Sequence, residues 1–147
     1  MTMEKAAQLG VWVDYGQAIL IGYAGGEAWE LERITSPLGK GRREEGEGND
    51  STRFTPNHEH TSNNEYRKHQ TEQQETTEYL KQLEQELVRY REVLIFGPGK
   101  AKEQLRNRLK ENKAFRSAWV AVENSDKMTP NQLLAFVREF FRKNEPV

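Results

Sequence analysis

Cysteine is absent from the 147 residues, which excludes disulfides, thiolate nucleophiles and cysteine-held metals. Histidine is scarce, with three residues in all. No apolar run approaches the roughly 20 residues of a membrane span. The opening MTMEKAAQLG lacks the apolar centre of a signal peptide. An excess of one charge is lacking too. Lysine and arginine number 22 against 23 acidic residues, for a formal net charge of −1. No global field therefore draws the chain to nucleic acid or acidic lipid, and any basic face must be local. Hydrophobic residues are few, 35% beside 31% charged, so part of the chain is expected to lie outside the core. These absences point to a cytoplasmic protein with no membrane partner, and the length suits a single domain over residues 1–147.

What is present is ordered. GVWVDY (10–15) and QAILIGYA (17–24) read as strands joined by a tight turn near Asp14 and Gly16. Gly25-Gly26 is a two-residue hairpin signal, because glycine tolerates positive φ. The third strand, EAWELERI (27–34), alternates, with Trp29 and Leu31 on one face and Glu30 and Glu32 on the other. A long helix is predicted over 66–89, with Tyr79, Leu80, Leu83, Leu87 and Tyr90 inward and a polar first half. EVLIFG (92–97) is a fourth strand. A helix over 100–112 buries Ala101, Leu105 and Leu109, and SAWVAVE (117–123) is a fifth strand. Thr129-Pro130-Asn131-Gln132 combines a capping box with proline at the first helical position. The helix it starts carries a stripe of Leu133, Val137, Phe140 and Phe141.

The fold class is therefore α/β in three layers. An antiparallel meander precedes α-β-α-β-α, all in one mixed five-stranded sheet, with strands two, four and five apolar throughout and covered on both faces. Between strand three and the long helix, residues 36–65 hold only Leu38 and Phe54 as apolar residues. Such a stretch buries too little to offset its ordering entropy. It is expected to be a flexible insertion.

The candidate site lies in FGPGKAKEQL (96–105). Gly97, Pro98 and Gly99 stop a strand and turn the backbone toward a helix. The spacing is not that of a nucleotide-binding loop, since Lys100 follows the first glycine too closely. A helix start still offers N–H groups and partial positive charge to an isolated phosphate. From Lys100 to Arg116 there are seven basic residues against two acidic ones. Lys102, Arg106, Lys110 and Lys113 fall at i, i+4, i+8 and i+11, one stripe beside the buried face. The stripe reads either as a solvated helix surface or as a patch tracking RNA phosphates without reading bases. Gly97, Gly99 and Lys100 would join it.

Other chemistry finds less support. His58 and His60, with His69 elsewhere, are too few for a closed zinc site. Asp14 ends strand one, and only Glu123 and Asp126 could join it around a metal. Capping of a turn is its simpler role. No cofactor and no metal site is implied, and binding is favoured over catalysis.

The segments VWVDYGQA, LIFGPGKAK and VENSDKMTPNQLLAFVREFF, in that order, resemble the central domain of eukaryotic and archaeal peptide-release factors and of Pelota-type rescue factors. More closely, they are similar to small bacterial proteins called translational machinery or host attachment proteins. The resemblance implies a ribonuclease-H-like arrangement of translational machinery components and a place on ribosomal RNA, transfer RNA or the ribosome, in stress, hibernation or rescue. The release-factor loop carries Gly-Gly-Gln, which this sequence lacks, so peptide release is not implied. Two alternatives remain: a metal-dependent hydrolase or nuclease using Asp14, and a protein-interaction module working through residues 36–65.

Overall fold

A computed structural model describes residues 8–37, 58–115 and 118–144, with the backbone alone for 58–66. Three strands come first: β1 (Gln8–Val13), β2 (Gln17–Ala24) and β3 (Glu27–Thr35). Helix α1 (His58–Leu87), strand β4 (Glu92–Gly97) and helix α2 (Ala101–Glu111) follow. A 3₁₀ turn (Lys113–Phe115), strand β5 (Trp119–Asn124) and helix α3 (Pro130–Lys143) complete the described order. The strands form one mixed sheet in the order β3-β2-β1-β4-β5. β1 pairs antiparallel with β2 and parallel with β4, and β4 pairs parallel with β5. The α/β class and the mixed five-stranded sheet match the expectation from sequence.

The period of two divides each inner strand between two cores. Leu9, Val11, Val13, Ala18, Leu20, Val93 and Ile95 meet Tyr79, Leu80, Leu83 and Leu87 of α1 and Leu105 and Leu109 of α2. On the opposite face Trp12, Ile19, Ile21, Tyr23, Leu94 and Phe96 meet Leu133, Val137 and Phe141 of α3. Helix α3 comes so close to β1 that a β-carbon at Gly10 would overlap the Val137 side chain. Its start is fixed by the expected box: Gln132 N donates to Thr129 Oγ1 (3.2 Å) and Thr129 N to Gln132 Oε1 (3.0 Å).

Three expectations need correction. The long helix begins at His58, eight residues before Tyr66, so 58–65 are helical rather than part of a flexible insertion. Ser36 is likewise not loose. It is buried, donates from Oγ to Tyr15 O (2.6 Å) and from N to Gly16 O (3.0 Å). The remaining insertion residues, 38–57, lie outside the described residues. Finally, β5 starts at Trp119 and forms an edge of the sheet. Its Val120, Ala121 and Val122 are only half-buried. Apolar composition did not place it centrally, because strand order follows backbone pairing.

Candidate nucleic-acid interface

The parallel strands β1, β4 and β5 end on the same edge of the sheet. Their C-terminal connections bring together Asp14, the Gly97–Lys100 corner and Asn124–Asp126. In open α/β sheets this edge is where ligands bind.

The corner is built by two glycines. Gly97 has φ +147° and Gly99 φ +68°. A β-carbon on Gly97 would run into the Val13 carbonyl, so β4 can end this close to β1 only with glycine there. Ser125 N donates to Gly97 O (3.2 Å) and ties the end of β5 to the corner. Trp12 Nε1 donates to Asp126 O (3.2 Å), holding the β5–α3 connection against β1. Lys100 is the N-cap of α2, and no side chain caps that end. Its carbonyl accepts from Glu103 N and Gln104 N, both at 3.0 Å.

The basic residues of α2 are not equivalent. Lys100 and Lys110 are exposed and Arg106 is half-buried. Lys102, expected on the exposed stripe, is only 3% exposed. Its Nζ donates to Gly99 O (2.5 Å), so the ammonium folds back over the corner. Lys113 is exposed but stands in the 3₁₀ turn, after α2 has ended. Helical phase therefore no longer relates it to the other three. Arg106 Nε is buried without a hydrogen-bond partner, and among the described residues no carboxylate pairs with it. Arg108, by contrast, donates from Nε to Glu84 Oε1 of α1 (3.1 Å), and Asn112 Nδ2 donates to Glu84 Oε2 (2.5 Å). Glu84 thus neutralises one flank of α2, and among the described residues no carboxylate pairs with Lys100, Arg106 or Lys110. Sequence reasoning missed Glu84, for it lies 24 residues from Arg108 and nothing local signals the pair.

Two hollows adjoin this edge. One of about 390 Å³ is lined by Gly97, Pro98, Gly99, Asn124, Ser125 and Asp126. The Asp126 carboxylate makes it unsuited to phosphate, so anion contact falls to the α2 flank. The other, about 500 Å³, lies between α1 and α2 and is lined by Tyr15, His69, Glu72, Gln73, Thr76, Thr77 and Gln104. Burial first, then the Glu103 carboxylate, pushes the Tyr15 phenol above its usual range.

Asp14 is engaged in its turn. Its Oδ1 accepts from Gly16 N and Gln17 N, both at 2.8 Å, the short-range bonding typical of aspartate in turns. Its carbonyl accepts from the buried Tyr79 hydroxyl at 3.0 Å. Among the described residues no three histidine, aspartate or glutamate side chains converge on a point that could hold a metal. The side chains of His58 and His60 lie outside the described ones. No described helix is long and apolar enough to cross a membrane.

No family model and no curated protein matches the chain. Among solved structures it is similar to an archaeal translation termination factor, aRF1, with a TM-score of 0.50 at 14% identity. The likeness covers 92% of this chain and 35% of that one. The chain thus spans about a third of the factor's length, and at such low identity the likeness is one of fold.

Proposed function

We propose that this protein is a non-catalytic module of translation that binds ribosomal or transfer RNA through the corner after β4 and the open flank of α2. The observation that carries the reading is the uneven neutralisation of α2. Glu84 holds one flank, while Lys100, Arg106 and Lys110, with Lys113 beyond, have no carboxylate partner among the described residues and stand beside an uncapped helix start. Phosphates are bound by such surfaces through charge and backbone N–H groups, without sequence readout. Gly97 and Gly99 shape the approach. Lys102 acts from beneath, lending its charge to the corner it fastens. The likeness of fold to a termination factor supports translation as the setting, and stress, hibernation or rescue is the role that requires no Gly-Gly-Gln.

Two measurements test this. The first is a salt titration of binding to transfer and ribosomal RNA. Lys100→Gln, Arg106→Gln and Lys110→Gln together should weaken binding and flatten the salt dependence, by about 0.7–0.9 of a log–log unit for each phosphate no longer neutralised. Equal binding by variant and wild type, or none by either at low salt, removes the α2 flank from the reading. The second is sedimentation with ribosomes from growing and starved cells. Absence from the ribosomal fractions in both removes translation as the setting.

A further inference from the structure

The two edges of the sheet are defended differently. β3 carries Glu27, Glu30, Glu32 and Arg33, and its register with β2 shifts between Leu20 and Ile21. Charges and irregularities of this kind discourage a further strand. β5 reads WVAVEN, with one charge, no lysine and no proline, and its register with β4 runs unbroken. Trp119 is 45% exposed and stacks on Phe140 of α3, ring centres 5.9 Å apart.

The backbone directions on β5 follow from its partners. Trp119 N donates to Arg91 O and Ser125 N to Gly97 O. By alternation Ala121 and Glu123 also face β4, while the N–H and C=O groups of Val120, Val122 and Asn124 point away from it, to an edge where no further described strand pairs.

We propose that β5 pairs with β5 of a second copy, antiparallel about a two-fold axis at Ala121, joining two five-stranded sheets into one. Residues directly opposite in an antiparallel pair share a face, so Ala121 meets its own equivalent. Val120 meets Val122 of the partner subunit, and Trp119 meets Glu123 of the partner subunit. The valines are the residues whose backbone groups point outward. Each such pair therefore exchanges both hydrogen bonds in the narrow-pair geometry, with its side chains together on one face.

Charge argues for a second copy rather than an unrelated strand. Glu123 and Lys143 both line the hollow between β5 and α3, but at opposite ends. Glu123 is near the end of β5, whereas Lys143 follows Phe140, which covers Trp119. The two-fold axis brings Glu123 of the partner subunit opposite Trp119, within reach of Lys143, and repeats the pairing on the other side. This inference rests on β5 and α3 and is independent of the RNA-binding reading.

The test is sedimentation equilibrium of the full chain at rising concentration. Val122→Pro deletes an outward donor while sparing the bonds to β4. Glu123→Lys sets like charges against each other, and Glu123→Lys with Lys143→Glu restores the opposite pairing in reversed order. The wild type should dimerise. Val122→Pro and Glu123→Lys should each weaken the dimer at least tenfold, and the double exchange should recover most of the loss. Unfolding curves identify any variant that fails to fold, and the charge exchange decides the matter should the proline variant do so. A wild type still monomeric at about 1 mM, an affinity limit near 4 kcal/mol, overturns the proposal. So does a dimer indifferent to Glu123→Lys.

Discussion

Gly97 and Tyr79 show how tightly single residues hold the edge where β1 and β4 end. Substituting Gly97 by alanine imposes both a positive φ and a collision with the Val13 carbonyl. Gly97→Ala should cost about 2–3 kcal/mol, in the range of backbone strain at such positions, read from denaturant midpoints. An unchanged midpoint would show that β1 and β4 can part freely. Tyr79 is buried, with its hydroxyl on Asp14 O. Burial, and after it the Asp14 carboxylate, raises its pKa well above the ordinary 10.0. The unfolded chain therefore ionises first, so this contribution is intact below about pH 10 and is lost as pH climbs further. Tyr79→Phe should cost about 1 kcal/mol at neutral pH and blunt the alkaline loss of stability. Identical alkaline profiles would place the titration elsewhere. The sequence shows that Gly97 ends a strand, but not that the neighbouring strand demands it. Nor does it show which basic residue is buried. Lys102 and Arg106 share a flank by spacing, and only the fold back to Gly99 O separates them.

Among the elements, α3 was legible to its first residue because its start is encoded locally, in Thr129, Pro130 and Gln132. Thr129→Ala should cost about 1 kcal/mol by removing the cap, seen as a lower midpoint with the same denaturant slope. The two-face burial of β2 and β4 could be read from their apolar runs. The start of α1 could not, for HEHTSNNEYRKHQTEQQE has no apolar stripe to give a period. The position of β5 escaped for another reason, since an apolar run reads alike at the centre and at an edge. The packing of α1 on α2 rests partly on Glu84, which serves Arg108 and Asn112 at once. Glu84→Ala should lower stability by about 1–2 kcal/mol, since two donors are deprived of a partly buried charged acceptor. Adding Arg108→Ala should then cost less than it does in the wild type, in a double-mutant cycle.

For the whole molecule, the order β3-β2-β1-β4-β5 sets β1 at the centre between β2 and β4, and the parallel pair β1 and β4 is buried on both faces. Their amides should exchange last in native-state hydrogen exchange, near the global unfolding free energy, while those of β3, and of β5 at concentrations where the chain is monomeric, exchange sooner. Early exchange in β1 would contradict this layering. The same order has a consequence for the chain as it is being made. β1 finds β2 within a few residues but waits for β4, with Gln8 pairing to Glu92, and Tyr23 of β2 meets its aromatic cover only once α3 reaches Phe141. At about 5–20 residues per second of synthesis, the nascent hairpins hold both apolar faces open to water for on the order of ten seconds. Half-made chains, rather than finished ones, are where a chaperone would find this protein.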